Sequence, residues 1–127
     1  ENALLVGRFL EGRVPKMLHP GLASHPQHNL AMSQMKACGP IFSFELDGGR
    51  KQAMALLNAL ELVDISNNIG DSRSLCCHPA STTHYSVSAE QREIMGVEEG
   101  MLRINIGLED PQDLIDDLDQ ALLKVGL

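Results

Sequence analysis

Two segments alternate apolar and polar residues, which is the pattern of a strand with one buried face. IFSFEL at 41–46 places its two Phe residues and its Leu on one side. MLRINIGLE at 101–109 places Leu102, Ile104 and Ile106 on one side, and Arg103 and Asn105 on the other. Shorter strands are predicted at 16–19, 62–66 and 74–77. Together these segments predict a small sheet.

Other segments have the three- and four-residue apolar spacing of amphipathic helices. The first ends at Gly12 and is predicted to bury Ala3, Leu4, Leu5 and Phe9. The second is predicted to be capped by Ser24, to start at His25-Pro26 and to end near Cys38-Gly39. Three more are predicted at 48–62, 88–96 and from Asp110 onward.

The alternation of these elements predicts an α/β fold of the α+β sandwich type. Each predicted helix has a single apolar stripe, and the strands have opposite polar faces, so we expect helices on one face of a small, mostly antiparallel sheet. The other sheet face is then free to contact something else.

Length, composition and charge narrow the class of protein. The 127 residues suit a single domain. A net charge of −7, with no Trp, one Tyr and three Phe, argues against binding to nucleic acid. No apolar run approaches the ~20 residues of a membrane helix, and no signal peptide opens the chain. Three Cys without CxxC spacing favour a reducing, cytoplasmic setting.

Arg103 is the basic residue with the most unusual position, in the middle of a predicted strand between apolar neighbours. A guanidinium there needs a carboxylate, a phosphate or water, and its planar fork suits a carboxylate bound through two hydrogen bonds. The alternative is a solvated arginine, or one paired with an acidic residue of another domain. The pattern alone leaves both interpretations open.

NNIGDSRSLCCHPASTTH at 67–84 concentrates polar side chains, and three chemistries are conceivable for it. A zinc site would draw on Cys76, Cys77, His78 and His84. Adjacent strand residues point to opposite faces, which disfavours metal binding by both Cys residues. A Cys nucleophile acting with His84 has no supporting signature. We expect His78 to end a strand with its imidazole bonded to the backbone.

The remaining polar motifs have ordinary structural interpretations. The hydroxyls of Ser81, Thr82 and Thr83 are either ligand donors or turn formers. His25 and His28 are expected to belong to a helix start rather than to a metal site. Gly48-Gly49 lacks the rest of a phosphate loop and predicts a strand-to-helix turn.

Several stretches, in order, resemble one known family. They are HPGLASHPQHNLAMSQM, GPIFSFELDGG, NNIGDSRSLCCHPASTTH and MLRINIGLEDPQDLIDDLDQAL. Together they resemble the C-terminal domain of the pyridoxal-phosphate enzymes of Cys/Met metabolism, which include cystathionine γ-synthase, cystathionine lyases and homoserine-ester sulfhydrylases. NNIGDSRSL and HPASTTH resemble the sulfhydrylase branch, and SHPQHNLAMSQM is most similar to its members that use O-succinylhomoserine.

The resemblance implies an activity and a set of site residues. It implies homocysteine formation from an O-acylhomoserine and sulfide in methionine biosynthesis, with pyridoxal 5'-phosphate as the electron sink. Family members hold the substrate α-carboxylate with an arginine matched by Arg103, assisted by groups matched by Asn68 and Thr83. The cofactor lysine is expected in a large domain preceding Glu1. No catalytic, cofactor-binding or metal-binding residue is therefore expected in this chain.

The resemblance also carries expectations about the whole protein. Residues 1–127 would be a single C-terminal domain, with 1–12 as the end of an inter-domain helix. Without the large domain, the chain is expected to be inactive and to self-associate through its uncovered sheet face or its first helix. The alternative is a stand-alone, non-catalytic module that binds a small carboxylate or a protein.

Overall fold

The computed structural model describes residues 1–127 and contains one five-stranded sheet. Its strands are β1 (Lys16–Leu18), β2 (Ile41–Glu45), β3 (Asp64–Ile65), β4 (Leu75–Cys77) and β5 (Met101–Asn105). Their spatial order is β1-β2-β5-β4-β3. The β1/β2, β2/β5 and β4/β5 pairs are antiparallel, whereas β3 and β4 are parallel. The predicted mixed α/β fold with a mostly antiparallel sheet is confirmed.

Five α-helices and one short 3-10 turn accompany the sheet. The helices are α1 (Asn2–Glu11), α2 (His28–Gln34), α3 (Gly49–Ala59), α4 (Ala89–Met95) and α5 (Pro111–Lys124), and the 3-10 turn is Pro79–Ser81. None of these helices has the length and apolar character needed to cross a membrane.

The core lies between one face of the sheet and the helices α1, α3 and α5. Alternate strand residues enter it, namely Phe42, Phe44, Cys76, Leu102 and Ile104. The apolar stripe of α5 closes the core, with Leu114, Leu118, Ala121 and Leu122 fully buried. Because these positions follow the two periodicities of the sequence, the predicted inward faces of β2, β5 and α5 are confirmed.

Local chain signals fix several element ends as predicted. Gly48 precedes α3, and Gly49, with φ of +60°, opens it as a strand-to-helix turn. Ser88 caps α4 by accepting the Gln91 N–H, and the left-handed Gly96 ends that helix. Asp110 caps α5 by accepting the Gln112 N–H. Each signal is a short-range interaction, which is why the sequence reveals it.

Two helix predictions are wrong in detail. The second helix is shorter than predicted, since it runs only over His28–Gln34 and Ser24 donates to the Glu11 carboxylate instead of capping it. The first helix buries a face different from the predicted one. Val6 and Leu10 are fully buried there, whereas Leu5 is 40% exposed. Tertiary packing on β1 and α5 selects that face among several apolar candidates.

The second sheet face is less open than predicted. Cys77, Leu75, Asn105 and Met101 are all buried on it. The segment between β3 and β4 contributes to this cover, because Asn105 and Arg103 both hydrogen-bond to its backbone. One face is therefore covered by helices and the other in large part by loops.

Candidate carboxylate-binding site

Arg103 lies in the middle of β5, the central strand of the sheet. Its neighbours in register are Ser43 on β2 and Cys77 on β4. Leu102 and Ile104, on either side along the strand, point into the core, so the guanidinium side chain must leave the sheet on the loop-covered face. The regular pleat of a paired central strand therefore fixes the direction of this arginine.

The guanidinium of Arg103 has no carboxylate partner within the chain. Its Nη2 donates to the backbone carbonyl of Asn67 at 2.8 Å, and the residue is half-buried. Four other arginines are ion-paired, namely Arg13 with Asp119, Arg50 and Arg92 with Glu99, and Arg73 with Asp64. Arg8, which also lacks an ion pair, is exposed on α1. Arg103 thus keeps donors free for an anion from outside the chain.

The segment beside Arg103 is held by buried polar contacts that the sequence patterns did not reveal. The Oδ1 atom of Asn105 accepts the Gly70 N–H at 3.1 Å. The carboxylate of Glu109 accepts both the N–H and the hydroxyl of Ser74, at 2.6 and 2.8 Å. Ser74 Oγ in turn accepts the Gly107 N–H at 2.9 Å. A polar residue two positions from Arg103 on the same strand face was the available signal for Asn105.

The Glu109 carboxyl is poised to stay ionised in this network. Burial by itself would raise its pKa, but hydrogen bonds from Ser74 and from its own backbone N–H, together with the positive charge of Arg73, lower the pKa below the ordinary value. An ionised Glu109 is therefore the acceptor for both Ser74 donors.

Asn68 and Thr83, the two predicted helpers of Arg103, are placed differently. Asn68 directly follows the residue whose carbonyl Arg103 binds, is exposed, and forms no side-chain hydrogen bond within the chain. Thr83 lies just after the 3-10 turn, and its hydroxyl shares a hydrogen bond with Nδ1 of His84 at 2.8 Å. Asn68 is thus next in the chain to the residue that Arg103 binds, and no hydrogen bond joins either Asn68 or Thr83 to Arg103.

The Cys and His residues of this region have structural surroundings. Cys76 points into the core and Cys77 to the opposite face, as the strand pattern predicted. Burial raises the pKa of Cys77, against opposing effects from Arg103 and from a hydrogen bond with Thr82. Burial and the adjacent Cys77 raise the pKa of Cys76 further. Neither thiol is thus activated as a nucleophile at neutral pH.

His78 ends β4, and both of its ring nitrogens have protein partners. Nδ1 shares a hydrogen bond with the Ser81 hydroxyl at 2.7 Å, and Nε2 donates to the Glu99 carbonyl at 2.8 Å. This confirms the predicted backbone contact of the imidazole. The chain contains no group of three His, Cys, Asp or Glu side chains arranged to hold a metal ion.

A separate cavity of about 700 Å³ lies elsewhere in the molecule. It is bordered by the start of α1, the segment after α2 and the residues that follow β5. Its lining residues include Met32, Lys36 and Cys38. Neither Arg103 nor Asn68 nor Thr83 lines it. The candidate site is therefore a sheet surface framed by loops rather than this cavity.

The residues around Arg103 fit an acidic group but not pyridoxal phosphate. Its neighbours in register and the segment 66–74 contain no lysine and no aromatic ring. Lys16, on the same sheet face, is paired with Glu45 at 2.8 Å. A cofactor that needs a lysine for its aldehyde and support for its ring finds neither beside Arg103.

Comparison with known proteins supplies an independent line of information. Residues 1–123 match the family model described as "Cys/Met metabolism PLP-dependent enzyme". A cystathionine gamma-lyase from Sus scrofa is 44% identical over 96% of this chain and 31% of its own length. An O-succinylhomoserine sulfhydrylase from Mycobacterium tuberculosis is 42% identical over 95% of this chain and 31% of its own length. The chain thus spans about a third of these relatives.

Solved structures agree with that result. A cystathionine gamma synthase from Xanthomonas oryzae, in complex with aminoacrylate and cysteine, superposes with a TM-score of 0.92 at 39% identity, covering 98% of this chain and 33% of the other. A Campylobacter jejuni structure described as an O-acetylhomoserine (thiol)-lyase gives 0.90 at 36% identity, covering 96% and 30%. The latter contains a pyridoxyl-lysine phosphate.

Proposed function

Because the chain belongs to the Cys/Met-metabolism family of pyridoxal-phosphate-dependent enzymes, we propose that it forms the part of such an enzyme that binds the substrate α-carboxylate. Arg103 is the binding residue, and Asn68 and Thr83 assist it. The cofactor and its lysine lie in a large domain that precedes this C-terminal domain in the longer protein.

One observation carries this proposal: the guanidinium of Arg103 is fixed at 2.8 Å from the Asn67 carbonyl and has no internal carboxylate partner. A hydrogen bond between a guanidinium and a carboxylate contributes about 1.5 to 3 kcal/mol, which is enough to orient an amino acid. Asn68 is exposed and follows Asn67 in the chain, and we expect its amide to supply further N–H donors to the same carboxylate.

For the whole enzyme, we propose O-succinylhomoserine sulfhydrylase activity, the formation of homocysteine from the ester and sulfide. Support comes from SHPQHNLAMSQM at 24–35 and NNIGDSRSL at 67–75, which resemble that branch. The Mycobacterium tuberculosis relative of that name, at 42% identity, is consistent with it.

A second candidate function is γ-lyase activity on cystathionine or methionine. It is favoured by the relatives of those names, which are 44% and 41% identical to this chain. Both candidates place the same demand on Arg103, because every substrate of this group carries an α-carboxylate. They differ in what happens at the γ-carbon.

Substrate comparison on the full-length enzyme tests the proposal. The enzyme is supplied separately with O-succinylhomoserine plus sulfide, O-acetylhomoserine plus sulfide, cystathionine, and methionine. The proposal expects homocysteine to form fastest from the succinyl ester. Thiol and 2-oxobutyrate released from cystathionine or methionine, without homocysteine from either ester, would instead establish the lyase.

The 127-residue chain alone is expected to be inactive. Mixed with pyridoxal phosphate and reduced with borohydride, it should show only scattered, substoichiometric labelling of its four lysines, Lys16, Lys36, Lys51 and Lys124. Stoichiometric labelling of a single lysine would contradict the assignment of the cofactor site to another domain. It would favour a self-contained module instead.

A further inference from the structure

The segment Asn67–Ser74, called the site loop, connects Arg103 to the residues that follow its own strand. At one end, the Asn67 carbonyl accepts from Arg103. In the middle, Asn105 Oδ1 accepts the N–H of Gly70, a residue with φ of +76°. At the other end, Ser74 is bound to Glu109 through two hydrogen bonds. The loop is thus fastened to the chain region that carries the arginine.

Asn105 is the central contact of this arrangement. It is only 2% exposed, and it lies two residues from Arg103 on the same face of β5. Besides accepting from Gly70, its Nδ2 lies 3.5 Å from the carbonyls of Asp71 and Arg73. A buried side chain amide that meets three backbone groups of one loop restricts where that loop can lie.

The far end of the loop approaches the residues after β5 too closely for a side chain at position 107. A Cβ added to Gly107 would overlap the carbonyl oxygen of Ser72. The Leu108 N–H donates to that same carbonyl at 2.8 Å. The loop is therefore in backbone contact with the residues that follow β5.

These contacts have a consequence for the arginine. A flexible arginine side chain loses rotamer freedom when it binds a ligand, unless a partner already holds it. The Asn67 carbonyl is such a partner, and Asn105 holds the same loop at points three to six residues further along. Resting on the proposed function of Arg103, we propose that Asn105 is a positioning residue, which holds the site loop so that the Asn67 carbonyl preorients the guanidinium for the substrate carboxylate.

The test is a double-mutant cycle in the full-length holoenzyme. Variants Asn105→Leu, Arg103→Ala and the double variant are titrated with glycine and with glycinamide, which lacks the carboxylate. Binding is followed by the change in cofactor absorbance. Asn105→Leu should weaken glycine binding about tenfold in the parent, within the coupling range of side chains in one network, and leave glycinamide binding unchanged. In the Arg103→Ala background it should have no further effect.

The cycle separates two kinds of failure. If Arg103→Ala leaves glycine affinity unchanged, the proposed function of Arg103 is wrong. If Arg103→Ala weakens glycine binding but Asn105→Leu does not, or does so equally in both backgrounds or equally for glycinamide, the positioning role is wrong.

Two further variants complete the experiment: a matched control and a replacement for Asn105→Leu. Asn58→Leu, at an exposed asparagine of α3, is the matched control and should leave both affinities unchanged. If Asn105→Leu does not fold, Asn105→Ser replaces it in the same cycle, since its hydroxyl can satisfy only one of the loop contacts. It should give a smaller loss that is likewise abolished by Arg103→Ala. A loss that persists in that background overturns the inference.

Discussion

The two faces of the sheet are built by different means. The face toward α1, α3 and α5 is a continuous apolar layer, in which Phe44, Leu102 and Ile104 are fully buried. The opposite face carries Ser43, Arg103 and Asn105, and the loop that covers it hydrogen-bonds to the side chains of Arg103 and Asn105. Stability is therefore expected to depend mainly on the first face, and ligand binding on the second.

The contrast explains why a polar residue can be tolerated in the central strand. Apolar packing on one side is non-directional, so it holds the sheet without specifying contacts on the other side. Hydrogen bonds are directional, so the loop-covered face fixes orientation at a small net energy. The predictions below separate these two roles, beginning with the largest expected effect.

Truncation of the most deeply buried aromatic side chain should affect stability most. Phe44→Ala in the 127-residue chain is expected to lower the free energy of unfolding by about 3 to 5 kcal/mol, because it leaves a cavity in the core between sheet and helices. Urea denaturation measures this. Tyr85→Ala, at a residue that is 75% exposed, is the control and should cost below about 0.5 kcal/mol. Equal costs for the two variants would contradict the assignment of the core.

Removal of the Arg103 side chain should affect substrate binding much more than stability. In the full-length enzyme, Arg103→Ala removes charge-assisted hydrogen bonds to the substrate. We expect KM to rise and kcat/KM to fall by a factor that corresponds to about 2 to 4 kcal/mol, with little change in Tm. Arg103→Lys keeps the charge without the planar fork, so its kcat/KM should lie between those of the wild type and Arg103→Ala. Arg8→Ala, at an exposed arginine without an ion pair, is the control. Wild-type kinetics for Arg103→Ala would remove this residue from the site.

The helix-covered side also has buried polar side chains, and Asp117 is the clearest case. The carboxylate of Asp117, 6% exposed on α5, accepts the N–H groups of Glu61, Leu62 and Val63 at 2.8, 3.0 and 3.0 Å. Asp117→Ala leaves these donors without a partner, so we expect a loss of about 2 to 3 kcal/mol in stability. The affinity of the full-length enzyme for glycine should not change. Asp116→Ala, at an exposed neighbour, should have little effect in either assay.

The sequence could predict features that depend on a periodic pattern, but not contacts between residues that are far apart in the chain. The apolar faces of β2, β5 and α5 repeat with a fixed period, so they could be predicted, and Arg103 could be identified because it interrupts that period. Asp117 lies on a helix with three other Asp residues, none of them buried, and its partners are more than fifty residues away in the chain. Nothing local distinguishes it.

The loop-covered face shows the same limit. Asn105 and Glu109 contact Gly70 and Ser74 across 35 residues in sequence, and such contacts depend on the folded path of a loop. The predicted second helix is too long for a related reason. Ser24 is a residue type that caps helices, but in the structure its hydroxyl donates to Glu11 of the first helix.

The smallest expected effect is a pH dependence on the loop-covered face. The pKa of Glu109 is lower in the folded chain than in the unfolded one, so its stabilising effect is present above the unfolded value of about 4.3 and is lost as pH falls through the lower, folded pKa. Unfolding free energies at pH 6 and pH 3 measure this. Glu109→Gln should destabilise the chain at pH 6 and much less at pH 3. A constant difference between the two proteins would contradict the role given to the ionised carboxylate.

The most direct measurement is a crystal structure of the full-length enzyme with a bound amino acid. The account predicts that the carboxylate oxygens of the ligand lie about 2.7 to 3.0 Å from the guanidinium nitrogens of Arg103, the usual length of such charge-assisted bonds. It also predicts that the Asn67 carbonyl retains its hydrogen bond with Arg103. A ligand carboxylate bound to another cation, with Arg103 directed into solvent, would contradict it.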